Sequence, residues 1–197
     1  IWQLGRHRVV CGDSTKKEDV EKLMDGKKAD MVFTDPPYNT GMKPKGDSSW
    51  MSHIFADALT EEEYTRLVTD SVNNCFDNTK SDYKFTYELI VVGKKGKPKI
   101  ENRHGLDYQD IWRVQRRIGR NEEHATAKPI ELCEKPLVHA SKQDDIVLDS
   151  FLGSGSTLIA CEKTNRICYG MEIDPKCVDV IIKRWEDYTN GNATRIV

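Results

Sequence analysis

Short apolar runs that stop on turn residues alternate along this chain with stretches whose apolar positions recur every three or four residues. Arg8-Val-Val-Cys11 stops at Gly12-Asp13, and Ala29-Asp-Met-Val-Phe-Thr34 stops at Asp35-Pro-Pro37. Such runs suit strands buried on both faces of a parallel sheet. Between them Val20, Leu23 and Met24 share one face of a helix over residues 16–24, which completes a βαβ unit. Thr60-Glu-Glu-Glu63 has the capping-box pattern, Thr60 as N-cap and Glu63 at N3. It predicts a helix to about Phe76 with Tyr64, Leu67, Val68, Ser71, Val72 and Cys75 on one face. Residues 83–92 alternate and end in Leu-Ile-Val-Val-Gly, a strand, and beyond them only residues 111–118 show a period before the chain's last third.

A second unit closes the chain. Ile146-Val-Leu-Asp149 reads as a strand, Phe151-Leu-Gly-Ser-Gly155 as a turn, residues 156–163 as a helix and 166–173 as a strand. After Asp174-Pro175, with Pro at the first helical turn, Val178, Ile181, Ile182 and Trp185 mark a last helix. Strands alternating with helices predict an α/β fold with a doubly wound, mostly parallel sheet.

Composition narrows the class. With 197 residues, 38% hydrophobic, 31% charged, 13 Gly and 7 Pro, the chain fits one globular domain, residues 1–197, and excludes collagen-like, low-complexity and disordered classes. The longest uncharged run, residues 150–161, is too short and too glycine-rich for a membrane span. The six cysteines at 11, 75, 133, 161, 168 and 177 form no C-x-x-C pair, and His7, His53, His104, His124 and His139 have no ligand spacing. The cysteines therefore read as small core residues in a reducing compartment, the cytoplasm, with no metal expected. No targeting signal precedes Gly12, and the opening Ile1 suggests an excerpt from a longer protein.

Net charge is −2, yet residues 94–120 hold nine basic residues and three acids. A local +6 therefore sits on a body of −8. That pattern suits a segment facing a polyanion, with residues 94–123 as the candidate insert and Lys94, Lys95, Arg103, Arg113, Arg116, Arg117 and Arg120 as its candidate contacts.

Two clusters carry chemistry. In the first, Phe151-Leu-Gly-Ser-Gly155 lets backbone approach a ligand at a helix N-terminus, and Glu172 ends the next strand, placed to accept from both hydroxyls of a ribose. The missing P-loop lysine excludes a phosphate-binding loop of that kind, but the turn alone does not separate a nicotinamide cofactor from S-adenosylmethionine. In the second cluster, two prolines fix a rigid turn at the carboxyl end of a buried strand. That turn presents the Asp35 carboxylate, the Pro36 carbonyl and the Tyr38 ring together, the parts needed to hold an exocyclic amine and stack its base.

With both clusters present, the chain resembles the amino-group-specific DNA methyltransferases that use S-adenosylmethionine. The matching residues are Asp35-Pro-Pro-Tyr38, Phe151-Leu-Gly-Ser-Gly155, Gly12-Asp13 and His124-Ala-Thr-Ala-Lys-Pro129. Their order resembles the circularly permuted β class, with the target-recognition segment between the two clusters. The resemblance implies that Asp35, Pro36, Pro37 and Tyr38 are catalytic. It also implies that Phe151, Gly153, Gly155 and Ser156 cradle the cofactor's methionine end, with Thr157 opening the helix below it, that Asp149 is a further cofactor-binding residue, that Glu172 binds the ribose and Asp13 the adenine, and that His124, Thr126 and Lys128 close the pocket. D-P-P-Y in place of S-P-P-Y implies adenine N6 in double-stranded DNA as target, with cytosine N4 as the alternative. A homodimer, a restriction endonuclease and an upstream ParB-like domain of phage type are the further partners it implies.

Three departures stand out. Ser150 replaces the family's Pro ahead of the glycine turn, with Leu152 lying in that turn, and Ala125 replaces the Pro of the closing motif. Between the helix ending near Phe76 and the stretch from Ser81, only Asp77-Asn-Thr-Lys80 intervenes, where the family has two further strands needing on the order of 20 residues. The expectation is that residues are missing at the 80/81 junction or that the central strands are deleted. The second case leaves a catalytically inactive DNA-binding remnant as the alternative reading.

Overall fold

The computed structural model describes residues 1–39, 59–79 and 128–196. The predicted strand at 83–92, the helical period at 111–118, the basic insert, the apolar stretch at 50–55 and the 80/81 junction lie outside the described residues.

The chain runs β1 (Trp2–Leu4), β2 (His7–Cys11), α1 (Lys17–Met24), β3 (Met31–Val32), α2 (Glu61–Asp77), α3 (Ile130–Ala140), β4 (Ile146–Asp149), α4 (Ser156–Lys163), β5 (Ile167–Glu172), α5 (Pro175–Thr189) and β6 (Thr194–Arg195). The strands form one sheet in the order β3-β4-β5-β2-β1-β6. β3, β4, β5 and β2 are parallel neighbours, while β1 runs antiparallel to both β2 and β6. All four parallel strands therefore end on the same edge. Asp35, Asp149, Glu172 and Asp13, far apart in sequence, arrive there together.

Side-chain alternation explains the layers. Val9, Met31, Val147 and Cys168 face Leu137 of α3, Leu158 and Ile159 of α4, and Val178, Ile181 and Trp185 of α5. Their neighbours Val10, Val32, Leu148 and Tyr169 face Val20, Leu23 and Met24 of α1 and Cys75 of α2. Each fully buried aliphatic side chain contributes about 1.5–3 kcal/mol, so both faces hold the sheet in place. Among the described residues, no helix is long and apolar enough to cross a membrane.

The doubly wound, mostly parallel architecture read from the pattern is present, and most elements lie within a residue or two of their predicted bounds. The capping box at Thr60 and Glu63 has both of its hydrogen bonds. The run predicted as a strand over residues 29–34 is shorter, Met31–Val32. Asp30 and Phe33 donate from their N–H groups to Ile146 and Leu148 of β4, while on the outer edge Ala29 makes a single parallel bridge to Thr79. Of the cysteines, four are buried, but Cys11 is exposed and Cys177 half-buried, which corrects their reading as uniformly core.

Candidate active site

The catalytic-type turn is pinned at both ends. Thr34, buried, donates from Oγ1 to Asp149 Oδ1 at 2.8 Å and accepts from the Ser150 N–H at 3.2 Å, which joins the end of β3 to the end of β4. After the turn, Asn39 sits in the left-handed region, φ +50°. Its amide donates to Leu59 O at 3.0 Å and accepts from Leu59 N–H at 2.9 Å, immediately before the Thr60 cap of α2. α2 is tied in turn to the loop after β2, since the Ser71 and Ser14 hydroxyls meet at 2.9 Å and Asn74 donates to Ser14 O.

Between these pins the Tyr38 hydroxyl donates to Asp35 Oδ1 at 2.6 Å, and Lys128 Nζ lies 3.2 Å from Asp35 Oδ2. Lys128 Nζ is also 3.4 Å from the Tyr38 hydroxyl and 5.6 Å from its ring centre. Asp35 and Tyr38 remain half-exposed, whereas Pro36 is buried. A narrow apolar crevice lined by Pro36, Phe151, Val68 and Val72 opens between this turn and α2.

The glycine turn is built from β5. Leu152 N–H donates to Met171 O at 2.8 Å, and Gly153 N–H donates to Glu172 Oε2 at 2.8 Å. Asp174 N–H takes the other carboxylate oxygen, Oε1, at 3.0 Å. Burial pushes the Glu172 carboxyl upward from its ordinary value, against these backbone hydrogen bonds. Gly153 and Gly155 have φ +56° and +82°, a region that Cβ-bearing residues rarely enter. A Cβ on Gly155 would also lie 3.2 Å from Ile181, while one on Gly153 would meet nothing within 4 Å. Open space therefore lies over the turn. Just past the end of neighbouring β2, Asp13 Oδ1 accepts from the Thr15 N–H and hydroxyl, and Gly12 N–H donates to Glu172 O.

A half-exposed carboxylate beside an open glycine turn, a second carboxylate one strand away and an exposed apolar Ile173 next to Glu172 in the chain fit a nucleoside-bearing cofactor. Asp149 stands elsewhere, 2% exposed beneath the turn. There it accepts from Thr34 and the Phe151 N–H and is held by the Thr157 side chain. Burial raises its carboxyl to about 6 in spite of these bonds. Ser156 Oγ donates to Lys128 O at 2.9 Å. His124, Thr126 and the seven basic residues of the insert lie outside the described residues.

Thr34, Asn39, Ser150, Gly170 and Arg184 all serve the site, and the motif reading gave none of them a role in building it. Arg184 Nη1 donates to Ser154 O at 3.0 Å and lies 3.4 and 3.3 Å from the Ser154 and Ser156 hydroxyls. Its only sequence signal is a cation beside the apolar stripe of the last helix.

A doubly wound sheet with an amine-binding type of turn facing a glycine-and-carboxylate cradle is the arrangement of a group-transfer enzyme that uses a nucleoside cofactor. The chain belongs to the DNA methylase family, whose model matches residues 69–184, more than half of its length. It is an amino DNA methyltransferase with S-adenosylmethionine as cofactor. Among similar proteins is the type II methyltransferase M.HpaI of Haemophilus parainfluenzae, 23% identical over 243 aligned positions that cover 93% of this chain and 76% of the relative. M2.DpnII of Streptococcus pneumoniae is 28% identical over 158 positions, 77% of this chain and 54% of its own length. The solved PvuII cytosine-N4-specific DNA methyltransferase shares the fold, with a TM-score of 0.61 at 14% identity over 95% of this chain and 94% of that one. The M.HpaI alignment is longer than the 197 residues of this chain, so at least 46 positions of the relative have no counterpart here.

Proposed function

We propose that the chain transfers a methyl group from S-adenosylmethionine to the N6 amino group of adenine in DNA, acting on a base swung out of the duplex. The observation that carries this reading is the Asp35–Tyr38 pair beside Lys128, on the same sheet edge as the Glu172 and Gly153 cradle. When bound, the cofactor supplies an electrophilic methyl on a sulfonium.

The rest is the chain's own work. An unstacked base costs a few kcal/mol, and stacking on Tyr38 recovers about 1–3 kcal/mol of it. Asp35 and the Pro36 carbonyl accept the two amine hydrogens and so aim the nitrogen lone pair. A carboxylate oxygen that already accepts from Tyr38 keeps a second lone pair for the amine. The reaction needs alignment more than acid–base strength, and the proton released from the methylated amine leaves to Asp35 or to solvent. Glu172 and Asp13 bind the ribose and adenine of the cofactor, and the turn from Phe151 to Thr157 its methionine end.

The choice of adenine over cytosine N4 rests on Asp35 standing at the head of D-P-P-Y. Incubation with labelled cofactor and DNA of mixed sequence, followed by identification of the modified nucleoside by mass, tests it, and N4-methylcytosine would replace this reading with the alternative. Asp35→Ala is expected to abolish transfer while cofactor binding, measured by calorimetry, stays within a few-fold of the parent. A variant retaining more than about a tenth of the parent rate would remove Asp35 from its role.

DNA affinity is expected to fall with salt at a log–log slope of about −0.9 per phosphate neutralised. The lysines and arginines of residues 94–120 supply those contacts and some of the arginines read guanine. Affinity indifferent to salt would assign the insert another purpose.

A further inference from the structure

Lys128 is fixed at both ends. Its main-chain carbonyl accepts from Ser156 Oγ in the first turn of α4, and that hydroxyl lies 3.3 Å from Arg184 Nη1 of α5. Its ammonium reaches across to Asp35 Oδ2, the Tyr38 hydroxyl and the Tyr38 ring. A continuous line of contacts therefore joins the last helix, the glycine turn and the amine-binding turn, and Lys128 is the link that crosses between the two turns. An ammonium is a compact charge with three donors. One donor on the carboxylate and one on the phenol hold the Asp35 oxygens and the Tyr38 ring in one relative orientation, which the direct 2.6 Å bond between them then closes into a triangle.

We propose that Lys128 is the positioning residue of the reaction: it sets Asp35 and Tyr38 as one unit and registers that unit against the glycine turn. This rests on the functional reading above for the role of Asp35. It assigns Lys128 to the geometry of the amine, where the family resemblance implies a part in closing the cofactor pocket.

The test uses the full chain with Lys128→Met, which keeps the stem and removes the charge, and Lys128→Arg, which restores a cation. Under single turnover at saturating cofactor and DNA, Lys128→Met is expected to slow transfer about tenfold to hundredfold with cofactor affinity within about threefold of the parent, because a misaligned reacting pair loses rate and not binding. Lys128→Arg should recover most of that loss. Independently of activity, amide exchange at Asp35, Tyr38 and Asn39, the residues of the turn that carry an N–H, should speed about tenfold in Lys128→Met and return toward the parent rate in Lys128→Arg. Weakened cofactor binding at an unchanged saturated rate would overturn the proposal and make Lys128 a cofactor ligand. Unchanged rate and exchange would overturn it and leave a solvent-exposed ion pair. If the parent chain transfers no methyl to DNA, the functional reading fails, while the exchange measurement still decides whether Lys128 holds the turn.

Discussion

Leu152, inside the glycine turn, is 4% exposed and rests on Gly170 of β5. A Cβ on Gly170 would stand 2.4 Å from Leu152 Cδ2 and 3.2 Å from its Cγ, so the side chain cannot simply swing aside. Gly170→Ala is expected to cost about 1–3 kcal/mol by overpacking, read as a lower midpoint in chemical denaturation, and Leu152→Ala in the same chain should recover part of it. If Gly170→Ala is neutral and the double variant worse, the contact is not tight. Glu172 shows a second dependence at this scale: the carboxylate proposed for the ribose also holds the turn, one oxygen on each side. Composition and spacing single out both glycines of the turn and the acid, because they occupy motif positions. They are silent on Gly170, whose reason is a neighbour 18 residues earlier in the chain.

Ser150 illustrates why elements must be read in pairs. A proline there would stiffen the turn, but the N–H it lacks is the one that Thr34 receives, and the Ser150 hydroxyl meets Cys75 Sγ of α2 at 2.9 Å. This chain has exchanged stiffness for a three-way junction of β3, β4 and α2. Ser150→Pro is expected to destabilise by about 1 kcal/mol, seen as a lower Tm, and a rise in Tm would show that the junction contributes less than the ring's rigidity. Most elements were legible because burial on both faces of a parallel strand leaves an unmistakable run and because Thr60, Asp174 and Pro175 mark helix starts. α3 was not legible, since Pro136 interrupts its period, although Cys133 and Leu137 are buried on one face. β1 and β6 are too short to carry a period, and Gly5 at φ +56° with Arg6 turns β1 into β2 with no Asn-Gly signal. The residue types of the site were legible from motifs, but not their partners. The pairing of Lys128 with Asp35, and of Asn39 with Leu59, follows only from which strand lies beside which.

On the scale of the whole molecule, one part-buried network fastens the adjacent strands β2 and β5 to α4 and α5. Cys168 N–H donates to His7 Nδ1, so the other ring nitrogen carries the proton and donates to Glu162 Oε2 at 2.8 Å, where Trp185 Nε1 also donates at 2.9 Å. The hydrogen bond from His7, followed by that from Trp185, holds the Glu162 carboxyl down at about 2. A carboxyl depressed in the folded state stabilises the fold fully above its unfolded value near 4.5, and that stabilisation is lost as pH falls from there through about 2. Unfolding followed over this window is expected to show the parent losing stability more steeply than Glu162→Gln. Parallel profiles would mean the carboxylate carries no such linkage.

β1 and β6, far apart in sequence, lie side by side. Trp2 pairs with Arg195, Gln3 with Thr194, and Ile196 N–H reaches Ile1 O at 3.0 Å, all on the sheet edge farthest in strand order from β3. A connection between β1 and β6 would therefore span little distance and would lie on the side of the sheet away from β3. The order of the parts along the chain and their assembly at the carboxyl edge are thus separable, since a link from β1 to β6 would change the first and leave the second as it is.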